Sequence, residues 1–256
     1  MSRWVRFEYE DKIRIGLLAG DNIEIFRGNI FSSPVSVDDE VPLEAVQLLT
    51  PVSPKNFLGL WNNFRERAEK DNLDIPEHPL YFTKTNGCQL PSGGIIVRPP
   101  GYTGDIMYEA ELGIVIGQHC YQVSELAAAN FIFGYTCVND IMAADWLNFG
   151  SAFTQWTRAK SAPTFGPIGP VVSTNLDFEN ARAVTRINGK VCQDYPLSDM
   201  IFNPEKIVSA ISQDMELHPG DLISCGTSLG VGPIPAGAEV EIEIDGIGIL
   251  RNTLAE

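Results

Sequence analysis

Tyr108-Glu109-Ala110-Glu111-Leu112-Gly113-Ile114-Val115-Ile116 reads as a strand in which two carboxylates lead into an unbroken apolar run. A period of two puts Glu109 and Glu111 on one face, roughly 6 to 7 Å apart at their Cα atoms. Two like charges beside a buried strand are unfavourable unless a cation lies between them. Carboxylate-only ligation favours magnesium, manganese or calcium over zinc. The alternative is a solvent-facing pair at a sheet edge, the reading that suits Glu241 and Glu243.

Short apolar runs surround this strand: Phe57 to Leu60, Leu80 to Phe82, Ile95 to Val97, Ala183 to Asn188, Asp221 to Ser224 and Glu239 to Ile244. Asn188-Gly189 predicts a tight hairpin turn. Helical signals are few: Asn63 to Asp71, Ser124 to Phe131 with Ser124 as cap, and Pro204 to Gln213 with Ile207, Val208 and Ile211 on one face. Strands without regular strand-helix alternation argue for a β-rich roll or sandwich of the α+β class over a doubly wound sheet. Residues 3 to 26 alternate polar and apolar around the Gly20-Asp21-Asn22 turn, and Pro51 and Pro54 mark a boundary. The expected organisation is a small N-terminal β domain over 1–52 and a second domain over 53–256.

With 256 residues and 44% hydrophobic content, the chain can bury a core without staples. Its 18 Lys plus Arg against 33 Asp plus Glu give a net charge of -15, which repels phosphate backbones and anionic membranes. No nucleic-acid or membrane partner is expected. The five cysteines form no CxxC pair and read as reduced core residues of a cytoplasmic protein. The charged N-terminus lacks a signal-peptide run, and no stretch approaches the roughly 20 apolar residues of a membrane span.

A third carboxylate closes the apolar segment Phe133-Gly134-Tyr135-Thr136-Cys137-Val138-Asn139-Asp140, where Asn-Asp is also an ordinary turn signal. The order of motifs adds specificity. Tyr108-Glu109-Ala110-Glu111-Leu112 is followed by Gly134 to Asp140, Lys160 before Phe165-Gly166-Pro167-Ile168-Gly169-Pro170, and Asn188-Gly189. Pro219-Gly220-Asp221 with Gly226-Thr227 comes next, and Ile244-Asp245-Gly246-Ile247-Gly248-Ile249-Leu250-Arg251-Asn252 closes the series. Over about residues 56 to 254 this order resembles the fumarylacetoacetate hydrolase superfamily.

The resemblance implies a mixed β-roll or sandwich core around one Mg2+ or Mn2+ held by Glu109, Glu111 and Asp140. A 2-oxo acid substrate would complete the coordination and react through a chelated enolate. It also implies roles for Lys84 and Lys160 in neutralising substrate carboxylate or a developing oxyanion, and for Thr227, Gly226 and Asn63 as substrate contacts. A homodimer packed through the core domain is implied, with the N-terminal unit as a small separate layer. Sedimentation at micromolar concentration tests this, and a stable single-chain species would count against it.

The sequence departs from the family where water is activated. Many members carry Asn-Tyr-x-x-His-x-x-Glu, whereas Asn63 to Lys70 has Arg67 in place of the His and Lys70 in place of the Glu. Ala144 and Leu147 replace a common Arg and Gln, and Pro163 displaces an Asp. Glu66 and Glu69 are candidate substitute bases. Arg67 cannot accept a proton but can clamp a carboxylate. His78 reads as a loop residue, and His119 and His218 have no motif partner. The distal end of the substrate is assigned to the loops Asn86 to Gly94 and Asn148 to Gln155. Three readings follow: decarboxylation or keto-enol isomerisation of a 2-oxo diacid, carbon-carbon hydrolysis of an acylpyruvate, or a family member without catalysis.

Overall fold

The computed structural model describes residues 2–150 and 152–256; Met1 and Ser151, each inside a segment singled out above, lie outside the described residues. The strands form three sheets. The largest has twelve strands, ten of them along one path. In spatial order these are Val35–Pro42, Asn22–Arg27, Lys12–Ala19, Arg3–Tyr9, Gly166–Ser173, Ile132–Asn139, Ala110–Ile116, Leu222–Ser224, Phe57–Trp61 and Leu80–Lys84. Neighbours on this path are antiparallel except Leu222–Ser224 beside Phe57–Trp61. A five-stranded sheet runs Lys190–Pro196, Arg182–Ile187, Glu239–Ile244, Gly248–Leu254 and Ile95–Ile96, and packs on the middle of the large one. A three-stranded sheet joins Met142–Ala143, Ile106–Tyr108 and Gly232–Pro233.

The β-rich fold is the one the strand pattern predicts. Every residue of Ala110–Ile116 is buried, as a run without alternation requires when both faces are covered. Asn188 and Gly189 both take positive φ, 47° and 79°, the requirement of the tight hairpin turn. The helix Pro204–Asp214 is capped by the Asn203 side chain, which accepts from the Lys206 N–H, and it buries Ile207, Val208 and Ile211.

Several expectations need correction. The Gly and Pro residues of Gly166–Ser173 resemble a loop in sequence, but the segment is a strand inside the large sheet. Through it the N-terminal strands continue that sheet, with Trp4 opposite Val172, and so do not form a separate layer. In Glu125–Ala128 the Ser124 side chain makes no capping bond, and Leu126 is 97% exposed, so this helix shows its leucine to solvent. Cys88, Cys120, Cys137 and Cys225 are buried thiols, but Cys192 is half-exposed. Among the described residues no helix is long and apolar enough to cross a membrane.

Candidate metal centre

Strand register assembles the acidic cluster. Ala110 pairs with Asn139 across two antiparallel strands, which sets Glu109 opposite Asp140, and the Asp140 N–H donates to the Glu109 carbonyl at 2.9 Å. Glu111 follows on the same face. One carboxylate oxygen from each of Glu109, Glu111 and Asp140 lies within 4.8 Å of the others, and all three residues are buried.

Two lysines enter from different elements. Lys84 ends an edge strand, and its ammonium donates to Asp140 Oδ1 at 2.5 Å, to the Phe165 carbonyl at 3.1 Å and to the Lys160 carbonyl. An ammonium has three N–H donors, so none remains for a substrate. This corrects the expectation that Lys84 neutralises substrate charge directly; it anchors Asp140 from behind. Lys160 ends the short helix Trp156–Lys160 and donates to Asp140 Oδ2 at 2.5 Å and to Glu109 Oε2. It retains one donor and lines the cavity.

The charges explain the titration behaviour. Burial pushes the Glu111 carboxyl well above its ordinary value, Asp140 and Glu109 add to this, and Lys160 and the Ser224 hydroxyl only partly oppose it. Burial also disfavours charge on Lys160, but Asp140, Glu109 and Glu111 more than offset that and hold its pKa above the ordinary lysine value.

The donor set fits a hard divalent cation. Ser224 Oγ at 2.5 Å and the Gly226 N–H at 2.9 Å donate to Glu111 Oε2, while Glu111 Oε1 is buried with no hydrogen-bond partner. A buried carboxylate oxygen with no donor, aimed among two other carboxylates, is what a cation ligand requires and what an uncompensated core cannot tolerate.

The cavity over this cluster is lined by Arg67, Glu109, Glu111, Lys160, Thr227 and Trp156, with Trp61, Phe82, Met142 and Leu147 among its walls. Arg67 points inward, with Nη1 4.0 Å from Glu109 Oε1, and its side chain is 26% exposed. Glu66 and Glu69 are exposed on the other side of the helix Arg65–Lys70 and do not line the cavity, which removes them as candidate bases. Asn63 also lies outside the lining. Its amide donates to the carbonyls of Phe202 and Cys225 and accepts from the Phe202 N–H, so it ties two backbone segments together. Gly226 uses its N–H on Glu111 rather than on substrate, with φ at 85°. Gly226→Ala is therefore expected to lower stability by about 1–2 kcal/mol, the cost of a side chain in left-handed backbone, as read from the denaturant midpoint.

Thr227 faces the cavity, and its hydroxyl accepts from Gln193 Nε2 at 3.0 Å. Gln193 was not singled out from the sequence. It is buried, and its oxygen accepts from the Ala110 N–H at 3.0 Å and Thr185 Oγ1 at 2.8 Å, so it fixes Thr227 against the acidic strand. The stacked rings of Phe82 and Trp156, 5.2 Å apart, were missed as a wall because nothing local in sequence joins them. No residue of 86–94 lines the cavity; Leu147 and Trp156, which bracket the other loop, do.

A buried carboxylate triad clamped by two lysines on a β-rich scaffold is a candidate cation site, and comparison with known proteins gives the family. Residues 55–255 match the family described as Fumarylacetoacetate (FAA) hydrolase C-terminal, and residues 2–51 match the one described as Rv2993c-like, N-terminal. The chain belongs to the fumarylacetoacetate hydrolase family. It is 39% identical to an uncharacterized protein of Archaeoglobus fulgidus over 237 residues, 90% of this chain and 93% of that one. It is 35% identical to the oxaloacetate tautomerase YisK of Bacillus subtilis over 83% of this chain and 74% of that one. Among solved structures, 5-carboxymethyl-2-hydroxymuconate delta-isomerase from Mycobacterium smegmatis superimposes with a TM-score of 0.91 at 33% identity over 99% of each chain.

Proposed function

We propose that this chain is a Mg2+- or Mn2+-dependent enzyme that carries a 2-oxo diacid through an enolate, by keto-enol isomerisation or decarboxylation. The carrying observation is Arg67. A guanidinium occupies the cavity where many family members place a water-activating histidine, and among the described residues no histidine lines that cavity. Hydrolysis needs a base for water, whereas enolate chemistry needs a sink for negative charge. The oxaloacetate tautomerase and the hydroxymuconate isomerase among the relatives support the same direction.

Glu109, Glu111 and Asp140 would hold the cation. When bound, it supplies positive charge for the oxygen on which negative charge develops. The remaining roles belong to side chains. Arg67 takes the distal carboxylate in a paired hydrogen bond. Thr227, oriented by Gln193, offers its hydroxyl to the proximal carboxylate. Lys160 keeps its proton, so its free N–H donates a hydrogen bond at the reacting oxygen and does not act as a base. Phe82 and Trp156 exclude water from one side.

The test is product analysis with oxaloacetate and with an acylpyruvate in the presence of magnesium. Interconversion of keto and enol absorbance, or carbon dioxide release, is the expected outcome. Release of pyruvate with a second carboxylic acid would instead establish the hydrolase, and unchanged substrates would establish loss of catalysis. Arg67→Leu should raise KM for a dicarboxylic 2-oxo acid by about 30-fold, some 2 kcal/mol for a charge-assisted hydrogen bond, and barely alter a monocarboxylic one. Equal effects on both substrates would remove Arg67 as the clamp, and Arg67→His would then be the variant in which to seek hydrolysis.

A further inference from the structure

We propose that His119, Glu216 and His218 form a second metal site, for a divalent transition ion such as zinc, nickel or copper, separate from the carboxylate centre. Glu111 lies near the start of the Ala110–Ile116 strand, and His119 lies beyond its other end. The two histidines are far apart in sequence, and backbone pairing brings them together. Cys120 and Leu217 form an antiparallel bridge closed by N–H to carbonyl bonds of 2.9 and 3.0 Å in both directions. That register sets His119 opposite His218 in the next pair, which is not hydrogen-bonded and where side chains lie closest. Cys120 and Leu217 point into the core, so His119 and His218 point outward, joined on the same face by Glu216 two residues from His218.

The side chains converge. The imidazole centroids are 5.1 Å apart. His119 Nε2 lies 3.4 Å and His218 Nε2 3.7 Å from the same oxygen, Glu216 Oε2. Ligands held at about 2.0–2.1 Å around a tetrahedral zinc stand about 3.4 Å from one another. The other nitrogen of His218 faces a carboxylate, with Nδ1 4.0 Å from Asp221 Oδ2. Asp221 is buried and fixed by the N–H of His218 and by the backbone N–H and side-chain amide of Asn56, all at 2.8 to 2.9 Å. At 4.0 Å from Nδ1, Asp221 attracts the imidazole electrostatically without hydrogen-bonding it, from the side on which a carboxylate usually supports a ligating imidazole. Two imidazoles and a carboxylate select zinc, nickel or copper over magnesium, the reverse of the all-oxygen centre. Occupied, the site ties the turn after the central strand to the segment after the helix Pro204–Asp214.

The test is zinc calorimetry on the full chain in excess magnesium, which competes for the carboxylate centre if that centre binds metal as proposed above. The wild-type protein should take one zinc ion. His119→Ala and His218→Ala should each weaken it by at least about tenfold, the lower bound for losing even an outer partner of a metal ligand, while His78→Ala should not. Both changed side chains are about half exposed, 54% and 44%, so folding is preserved. Electron paramagnetic resonance with Cu2+ gives an independent readout, since nitrogen coupling cannot arise from three carboxylates. Its presence in the wild type and its loss in the protein carrying both His119→Ala and His218→Ala is expected. Equal zinc affinity in all four proteins, or copper without nitrogen coupling, would overturn the site and leave a surface ion pair.

Discussion

Lys84→Met is expected to lower the unfolding free energy by about 3–5 kcal/mol, the cost of breaking a buried ion pair from one side. The Lys84 side chain is wholly buried, and methionine keeps its length but offers no donor. The carbonyls of Lys160 and Phe165 lose a partner, and Asp140 is left with Lys160 alone. The pH dependence identifies the cause. Burial pushes the Asp140 carboxyl up, but Lys160 and then Lys84 more than offset this and hold it below its ordinary value of 3.8. A carboxyl depressed in the folded state contributes stability above its unfolded pKa, and that stability is lost as pH falls through the folded value. The deficit of the variant is therefore largest near neutral pH and shrinks in acid, where Asp140 is protonated in both proteins. Guanidinium titrations across that range measure it. A deficit independent of pH would trace the loss to packing, and equal midpoints would remove Lys84 from the ion pair.

The second large effect concerns the acidic cluster itself. Glu109→Ala, Glu111→Gln and Asp140→Ala should each remove most magnesium and manganese binding and cut turnover by at least about a hundredfold, the upper end of what losing a partner of a ligand costs. Glu111→Gln should also do something the others do not. The raised pKa of Glu111 means that the folded chain retains a proton which the unfolded chain releases above its ordinary value of 4.5. Stability from this group is present below that value and is lost as pH rises toward the folded pKa. Glutamine removes the penalty, so the metal-free variant should unfold at higher denaturant near neutral pH than the metal-free parent. Cation binding must expel the same proton, so affinity rises with pH over that window. Calorimetry in buffers of different ionisation enthalpy counts the proton. Undiminished affinity in all three variants would sink the ligand assignment.

How far the sequence foretold this arrangement depends on the range over which each signal acts. The Asn188-Gly189 turn, the Pro204 helix and the apolar run Ala110–Ile116 are written in local periods and local backbone preferences, and the structure reproduces them; the expected strand from Tyr108 is broken at Glu109, where Ile106–Tyr108 leaves for the three-stranded sheet. Motif order groups Glu109, Glu111, Asp140 and Lys160, and the structure holds them in one cluster. The remainder depends on neighbours distant in sequence. Glu66, Arg67 and Glu69 share one six-residue helix, and its rotation, set by burial of Ala68, decides that Arg67 alone turns inward. Gln193 reaches from the five-stranded sheet to Thr227 in the segment after Leu222–Ser224, and His119 meets His218 through a single bridge. Gly166–Ser173 looks like a loop because Pro lacks an N–H and Gly lacks a side chain, yet flanking strands impose the extended form.

The two ends of the large sheet bear on whether another chain can pair with it. A free strand edge is a template for adding another chain. At one end, Val35–Pro42 carries Asp38, Asp39 and Glu40, with Asp38 at a φ of 55° and a register shift against its neighbour, so charge and distortion together discourage a newcomer. At the other end, the helix Trp156–Lys160 packs on Leu80–Lys84. The helix that delivers Lys160 to the acidic cluster thus also shields that border, and a change that loosened it would bare a strand edge as well as displace Lys160.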